Sequence, residues 1–123
     1  NWKKSLEILG LMEKEKIEPN VFSFNSAIVS CGNAGQWEKA LEVFNSMRSR
    51  GVDPTVVTYN SAISACGKGR QWEKALELFF EVKESKLIPN SRTFCAAISA
   101  CEKAGKWEKA LELHSLSLLD KNL

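Results

Sequence analysis

The sequence holds a single histidine, His114, and four cysteines, none of them set out as Cys-x-x-Cys. Zinc centres need paired ligands at such spacings, so no metal site is expected. There is no glycine-rich loop to cradle a phosphate and no nucleophile paired with a base. No catalytic residue, cofactor or enzymatic chemistry is therefore expected. No apolar run approaches the ~18 residues of a membrane span, so none is expected. A surplus of one charge is missing as well. Lys and Arg number 17 against 15 Asp and Glu, and the net +2 neither demands nor excludes an anionic partner. The chain has neither an initiator Met nor a visible targeting segment. It opens inside a repeating unit, and the expectation is a fragment of a longer array.

What is present is repetition. Gln36-Trp37-Glu38-Lys39-Ala40-Leu41-Glu42 returns as Gln71-Trp72-Glu73-Lys74-Ala75-Leu76-Glu77 and as Lys106-Trp107-Glu108-Lys109-Ala110-Leu111-Glu112. A worn copy, Asn1-Trp2-Lys3-Lys4-Ser5-Leu6-Glu7, starts the chain, so the four tryptophans stand 35 residues apart. One fixed period in this range marks a stacked array, whose core grows unit by unit. With 44% hydrophobic and 26% charged residues, the chain is too apolar to be disordered.

Each unit carries two helical patterns. Residues 1–18 read as one amphipathic helix with Trp2, Leu6, Ile8, Leu9 and Met12 on its apolar side, stopped by Pro19. Phe24, Ala27, Ile28 and Cys31 then make the stripe of a first helix, and Gly32-Asn33-Ala34-Gly35 reads as its break. Trp37, Ala40, Leu41, Phe44 and Met47 line a second helix, with Gly51 as C-cap and Pro54 as the stop. The next unit repeats this with Tyr59, Ala62, Ile63 and Cys66, a Gly67-Lys68-Gly69 turn, then Trp72, Ala75, Leu76 and Phe79 before Pro89. Phe94, Ala97, Ile98 and Cys101 open the last, which turns at Gly105 and places His114 where Phe44 and Phe79 stood. The division is thus a second helix at 1–20, repeats at 21–55 and 56–90, and a nearly complete repeat at 91–123. Neither half of a unit can bury its stripe alone, so the fold class is all-α, an α-solenoid of stacked 35-residue helix–turn–helix repeats.

The run Val56-Val57-Thr58-Tyr59-Asn60-Ser61-Ala62-Ile63-Ser64-Ala65-Cys66-Gly67-Lys68, its Trp-Glu-Lys-Ala-Leu-Glu-Leu-Phe continuation and the Leu87-Ile88-Pro89-Asn90 exit resemble a pentatricopeptide repeat. The tetratricopeptide repeat differs in period and in aromatic pattern. The resemblance covers the whole chain and implies a right-handed superhelix. It also implies an organellar protein that binds single-stranded RNA, about one base per repeat. In that family the fifth and last residues of a repeat meet the base edge and the second packs on the base face. Carried over, the edge readers are Asn25 with Thr55, Asn60 with Asn90, Cys95, and Asn20 from the opening fragment. The packing residues are Phe22, Val57 and Arg92. Asn60 with Asn90 is a pyrimidine type of pair, so the 56–90 repeat is expected to prefer a pyrimidine.

Asn25 can be placed without the family. It points away from the Phe24–Cys31 stripe, alongside Phe22 and Val29, where a column of amides repeated by each unit would line a groove. The plainer alternative is a solvated Asn near a helix start. Cys31, Cys66 and Cys101 also recur at 35 residues. Stacked helices lie ~8–10 Å apart, too far for disulfides that need Cα atoms within ~7 Å, so these read as buried reduced thiols. Cys95 is off the stripe and is the accessible candidate. Trp37, Trp72 and Trp107 read as packing between helices, with stacking on bases the other option. Glu38, Glu42, Glu73, Glu77, Glu108 and Glu112 read as a solvated outer face.

Few charges fall on the first helices: Lys68 in 56–68, then Arg92, Glu102 and Lys103 in 91–103. Lys68 and Lys103 are the candidate phosphate contacts, with Arg92 near them. Two functions stay open. One is a segment that binds single-stranded RNA in a mitochondrion or plastid, serving RNA processing, stability or translation. The other is a scaffold holding protein subunits of a large organellar complex, such as a ribosome, photosynthetic or respiratory assembly.

Overall fold

A computed structural model describes residues 2–15 and 20–121. Seven α-helices follow one another with no strand among the described residues: α1 Trp2–Lys14, α2 Val21–Asn33, α3 Trp37–Ser49, α4 Val56–Lys68, α5 Trp72–Glu84, α6 Ser91–Lys103 and α7 Trp107–Lys121. The pairs α2/α3, α4/α5 and α6/α7 are hairpins, and α1 packs on α2. Helix α4 lies against both α2 and α6, whereas the backbones of α3, α5 and α7 stand apart. Helix α3 meets α5 through side chains, the Arg48 guanidinium reaching the Glu81 carboxylate at 2.9 Å. The first helices therefore form a close inner layer and the second helices a spread outer one, which is an α-solenoid.

Burial follows the sequence stripes. Phe24, Ala27, Ile28 and Cys31 on α2, and Tyr59, Ala62, Ile63 and Cys66 on α4, are all buried. Each second helix then reaches forward to the next unit. Phe44 meets Tyr59 edge-on with ring centroids 5.1 Å apart. One period later Phe79 meets Phe94 in the same way, also at 5.1 Å. Such aromatic pairs add about 0.5–1.5 kcal/mol beyond their buried area, so the same device fastens successive units.

The third hairpin turns at Gly105 as expected, but the first two turns fall later than the sequence reading. Gly32 and Gly67 lie inside α2 and α4, not in a break, and both are buried. A Cβ on Gly32 would stand 2.9 Å from the Ala65 Cβ, and one on Gly67 would stand 3.2 Å from that of Ala100. These glycines let the inner helices approach. The left-handed turn residue comes later, at Gly35 (φ 76°), Arg70 (φ 59°) and Gly105 (φ 75°). The hinge of the middle unit is thus Arg70, not Gly67-Lys68-Gly69. Each turn closes with a bond from the amide of the following residue back into the helix: Gln36 to Cys31, Gln71 to Cys66 and Lys106 to Cys101, each 2.8 Å. That pattern satisfies the last carbonyls of the helix.

Four further corrections concern side chains. Ile8 is 56% exposed, because it lies well round the helix from Trp2, Leu6 and Leu9, which pack on the core. Trp37 and Trp72 are only half-buried, and they sit at the turn of the next unit rather than deep between helices. A Cβ on Gly69 would lie 2.3 Å from the Trp37 Cδ1, and the Lys106 Nζ stands 5.2 Å from the Trp72 ring centre. Trp107 and Leu111 are 61% and 67% exposed, since no described turn or helix lies over that face of α7. His114, at the position of the buried Phe44 and Phe79, is exposed. Pro19 lies outside the described residues.

Candidate nucleic-acid interface

Asn20, Thr55 and Asn90 occupy one structural register, as N-caps of α2, α4 and α6. All three have extended backbones, and their side-chain oxygens accept the amide of the residue three places on: Ser23, Thr58 and Thr93. This is ordinary capping of an orphan donor, worth about 1 kcal/mol. It also fixes where these side chains stand, at the inner edge of the solenoid.

Five residues into each unit stands the second column. Asn60, half-buried on α4, donates from Nδ2 to the Asn90 Oδ1 at 3.1 Å. Its own Oδ1 accepts from the Thr93 hydroxyl at 2.6 Å. Asn25 occupies the same register on α2, but its Oδ1 is buried without a hydrogen-bond partner. Thr55 is too short to repeat what Asn90 does. Its hydroxyl and that of Thr58 lie 3.2 Å apart and satisfy each other. Cys95 is exposed on α6 in the same register and is a free thiol. The second-residue column faces outward throughout: Phe22 is 79% exposed, Val57 58%, and Arg92 is exposed.

These columns border an open groove of about 670 Å³ between the inner helices. Asn60, Asn90, Val57, Arg92, Cys95 and Lys68 all line it. The structure thus brings together six of the residues singled out from the sequence. Asn20, Phe22, Asn25, Thr55 and Lys103 do not line this groove. Lys68 reaches back to the Asn33 Oδ1 one period earlier. Asn33, Ser61 and Ser64 also line the groove, and sequence reasoning missed them together with Thr93. For Thr93 a signal was available: Ser23, Thr58 and Thr93 recur at 35 residues, three places after each cap, where a hydroxyl can return a bond to the capping residue.

Elsewhere the chemistry is quiet. Cys31, Cys66 and Cys101 are buried free thiols, and burial raises all three above the ordinary thiol range, Cys66 to about 11. Protonated buried thiols are poor nucleophiles and poor metal ligands. No cluster of His, Cys, Asp or Glu able to hold a metal occurs among the described residues, and no described helix is long and apolar enough to cross a membrane. Glu38, Glu42, Glu73, Glu77, Glu108 and Glu112 are all exposed on the outer layer.

The PPR repeat family matches residues 19–68 and 54–103, a pentatricopeptide repeat domain matches 1–34, and a PPR repeat matches 92–117. Among curated proteins no match is found. Among solved structures, the pentatricopeptide repeat protein PPR10 from maize superposes with a TM-score of 0.74 and 28% identity, over 92% of this chain and 16% of that one. PPR10 in complex with an 18-nt psaJ RNA element gives 0.74 and 29%, over 85% of this chain and 16% of that one. The PPR domain of Arabidopsis thaliana protein-only RNase P 1, in complex with tRNA, shares the fold at 0.72 and 22% identity, over 94% of this chain and 62% of that one. This chain therefore spans about a sixth of the length of PPR10. Matched in overlapping windows along most of its length, it belongs to the pentatricopeptide repeat family.

Proposed function

We propose that the chain is a single-stranded-RNA-binding segment of an organellar pentatricopeptide repeat protein, acting in RNA processing, stability or translation without chemistry of its own. Residues 21–55, 56–90 and 91–123 are its repeats, and each takes about one base. The observation that carries this reading is the Asn60–Asn90 pair, hydrogen-bonded at 3.1 Å on the wall of an open groove beside the exposed Val57. Amides at a groove wall offer hydrogen bonds to a base edge, and an apolar side chain offers a surface to its face. The matching fold of PPR10, solved with an 18-nt RNA element, supports it.

The 56–90 repeat takes a pyrimidine, because the smaller ring leaves room for both amides against Val57. Lys68 and Arg92 meet the backbone phosphates beside it, and Lys103, exposed one period on from Lys68, extends that line. The test is binding to four RNAs that differ at one base. A preference for C or U that Asn60→Ala abolishes is expected, whereas Lys68→Ala weakens all four alike and lowers the salt slope by about one.

One observation favours the scaffold reading. Lys68, one of two cations lining the groove among the described residues, is already tied to Asn33. Equal, negligible binding of all four RNAs by the folded chain would put that reading in front.

A further inference from the structure

The bonds around Asn60 form a closed ring whose direction is set by the backbone. The Thr93 amide donates to the Asn90 Oδ1 at 3.1 Å, and the Asn90 amide donates to the Thr93 Oγ1 at 3.1 Å. Backbone N–H groups can only donate, so the first bond settles which atom of the Asn90 side-chain amide is oxygen, and the second makes the Thr93 hydroxyl an acceptor. With the Asn90 Oδ1 turned inward, Asn60 must present its Nδ2 to it, as observed at 3.1 Å. The Asn60 Oδ1 then faces the Thr93 hydroxyl, which already accepts from the Asn90 amide. Of the two acceptors in reach of its one hydrogen, the Asn60 Oδ1 at 2.6 Å is nearer than the Asn90 Oδ1 at 3.0 Å, which already has two other donors. Reversing either amide would set two acceptors or two donors face to face.

We propose that Thr93 is a positioning residue for base selection: its hydroxyl holds the Asn60 carbonyl inward, so that the Asn60–Asn90 pair shows only N–H donors to the groove. This rests on the RNA reading above and sharpens it. Both carbonyl oxygens are turned to donors within the protein, while one Nδ2 hydrogen of Asn60 and those of Asn90 stay uncommitted. A wall of donors requires adjacent acceptors. Cytosine has them, O2 beside N3, whereas uracil places its N3–H donor between two carbonyls. The repeat at 56–90 thus takes cytosine ahead of uracil.

The neighbouring unit supplies a natural control. Thr58 occupies the same place relative to its own cap, Thr55, and exchanges bonds with it. Thr58 does not reach Asn25, whose Oδ1 has no partner. Loss of the Thr58 hydroxyl therefore removes a capping interaction without releasing a base-reading amide.

The experiment uses short adenosine strands with one central C, U, A or G, titrated into the 15N-labelled chain and its Thr93→Val, Thr93→Ser and Thr58→Val variants. The side-chain amide signals of Asn60 and Asn90 report the site directly. The wild type and Thr93→Ser should bind the C strand on the order of tenfold tighter than the U strand. Thr93→Val should bring that ratio to about one, while Thr58→Val leaves it unchanged. A wild-type ratio kept by Thr93→Val, or lost equally in Thr58→Val, overturns the positioning role and leaves RNA binding standing. Failure of every strand to shift any groove signal overturns RNA binding, and the positioning role with it.

Discussion

Replacing glycines by alanine measures how closely the inner helices approach, and that approach sets the width of the groove. In an exposed helix interior, Gly→Ala stabilises by about 0.5–1 kcal/mol, because glycine loses more backbone freedom on folding. Gly10 on α1 is such a site: it is exposed and an added Cβ meets nothing within 4 Å. Gly32 offers the same helical gain but places the new Cβ 2.9 Å from the Ala65 Cβ and 3.2 Å from its Cα. The Cα belongs to a neighbouring helix and cannot swing aside, so α2 and α4 must part. Overpacking of this kind costs about 1–3 kcal/mol, which outweighs the helical gain and leaves Gly32→Ala about 1 kcal/mol less stable. Gly67 is intermediate, with its Cβ 3.2 Å from the Ala100 Cβ and 3.3 Å from its Cα. A few tenths of an ångström suffice there, and the change should be nearly neutral. Urea melts of the three variants should rank them Gly10→Ala, Gly67→Ala, Gly32→Ala from most to least stable. Equal stabilisation by all three would show that the inner helices stand farther apart than described, and the groove geometry would fall with them.

Further expectations concern single side chains. Trp37→Ala should cost about 2 kcal/mol, since the half-buried ring is pressed on Gly69, while Trp107→Ala at 61% exposure should stay within about 0.5 kcal/mol in the same melts. With the buried Cys66 thiol pushed up to about 11, the unfolded chain gives up its proton first as pH rises above 9.0. Stability should fall by about 2 kcal/mol across that window, and the fall should be smaller by that amount in Cys66→Ala. Thr55→Asn should copy the Asn90 arrangement, free the Thr58 hydroxyl for the orphan Asn25 Oδ1 and stabilise the chain by about 1 kcal/mol. A loss of stability in that variant would mean that the Asn60 ring does not transfer.

The period of 35 and the apolar stripes carried the architecture, because a buried stripe has one solution when every unit must cover its neighbour. They also placed Asn25 and Asn60 off the stripe, and the register of Asn20, Thr55 and Asn90 followed from the family pattern. Distances between units were not legible. Gly32 and Gly67 look like turn residues in a sequence, yet they mark contact between helices, and only the Ala65 and Ala100 positions reveal it. Thr93 went unseen because its bond to Asn60 spans 33 residues and crosses a unit boundary. Trp107 and Leu111 share the pattern of Trp37 and Leu41 but not their covering, which depends on what lies next to the helix.

The central claim is that RNA lies along the inner helices. It is tested most directly by adding single-stranded pyrimidine-rich RNA to the 15N-labelled chain at low salt and recording which amides move. The account predicts shifts at Val57, Asn60, Asn90, Arg92 and Cys95, and none at Glu38, Glu73 or Phe80 on the outer layer. Shifts confined to the outer layer, or none at RNA concentrations that saturate an ordinary weak binder, would contradict it.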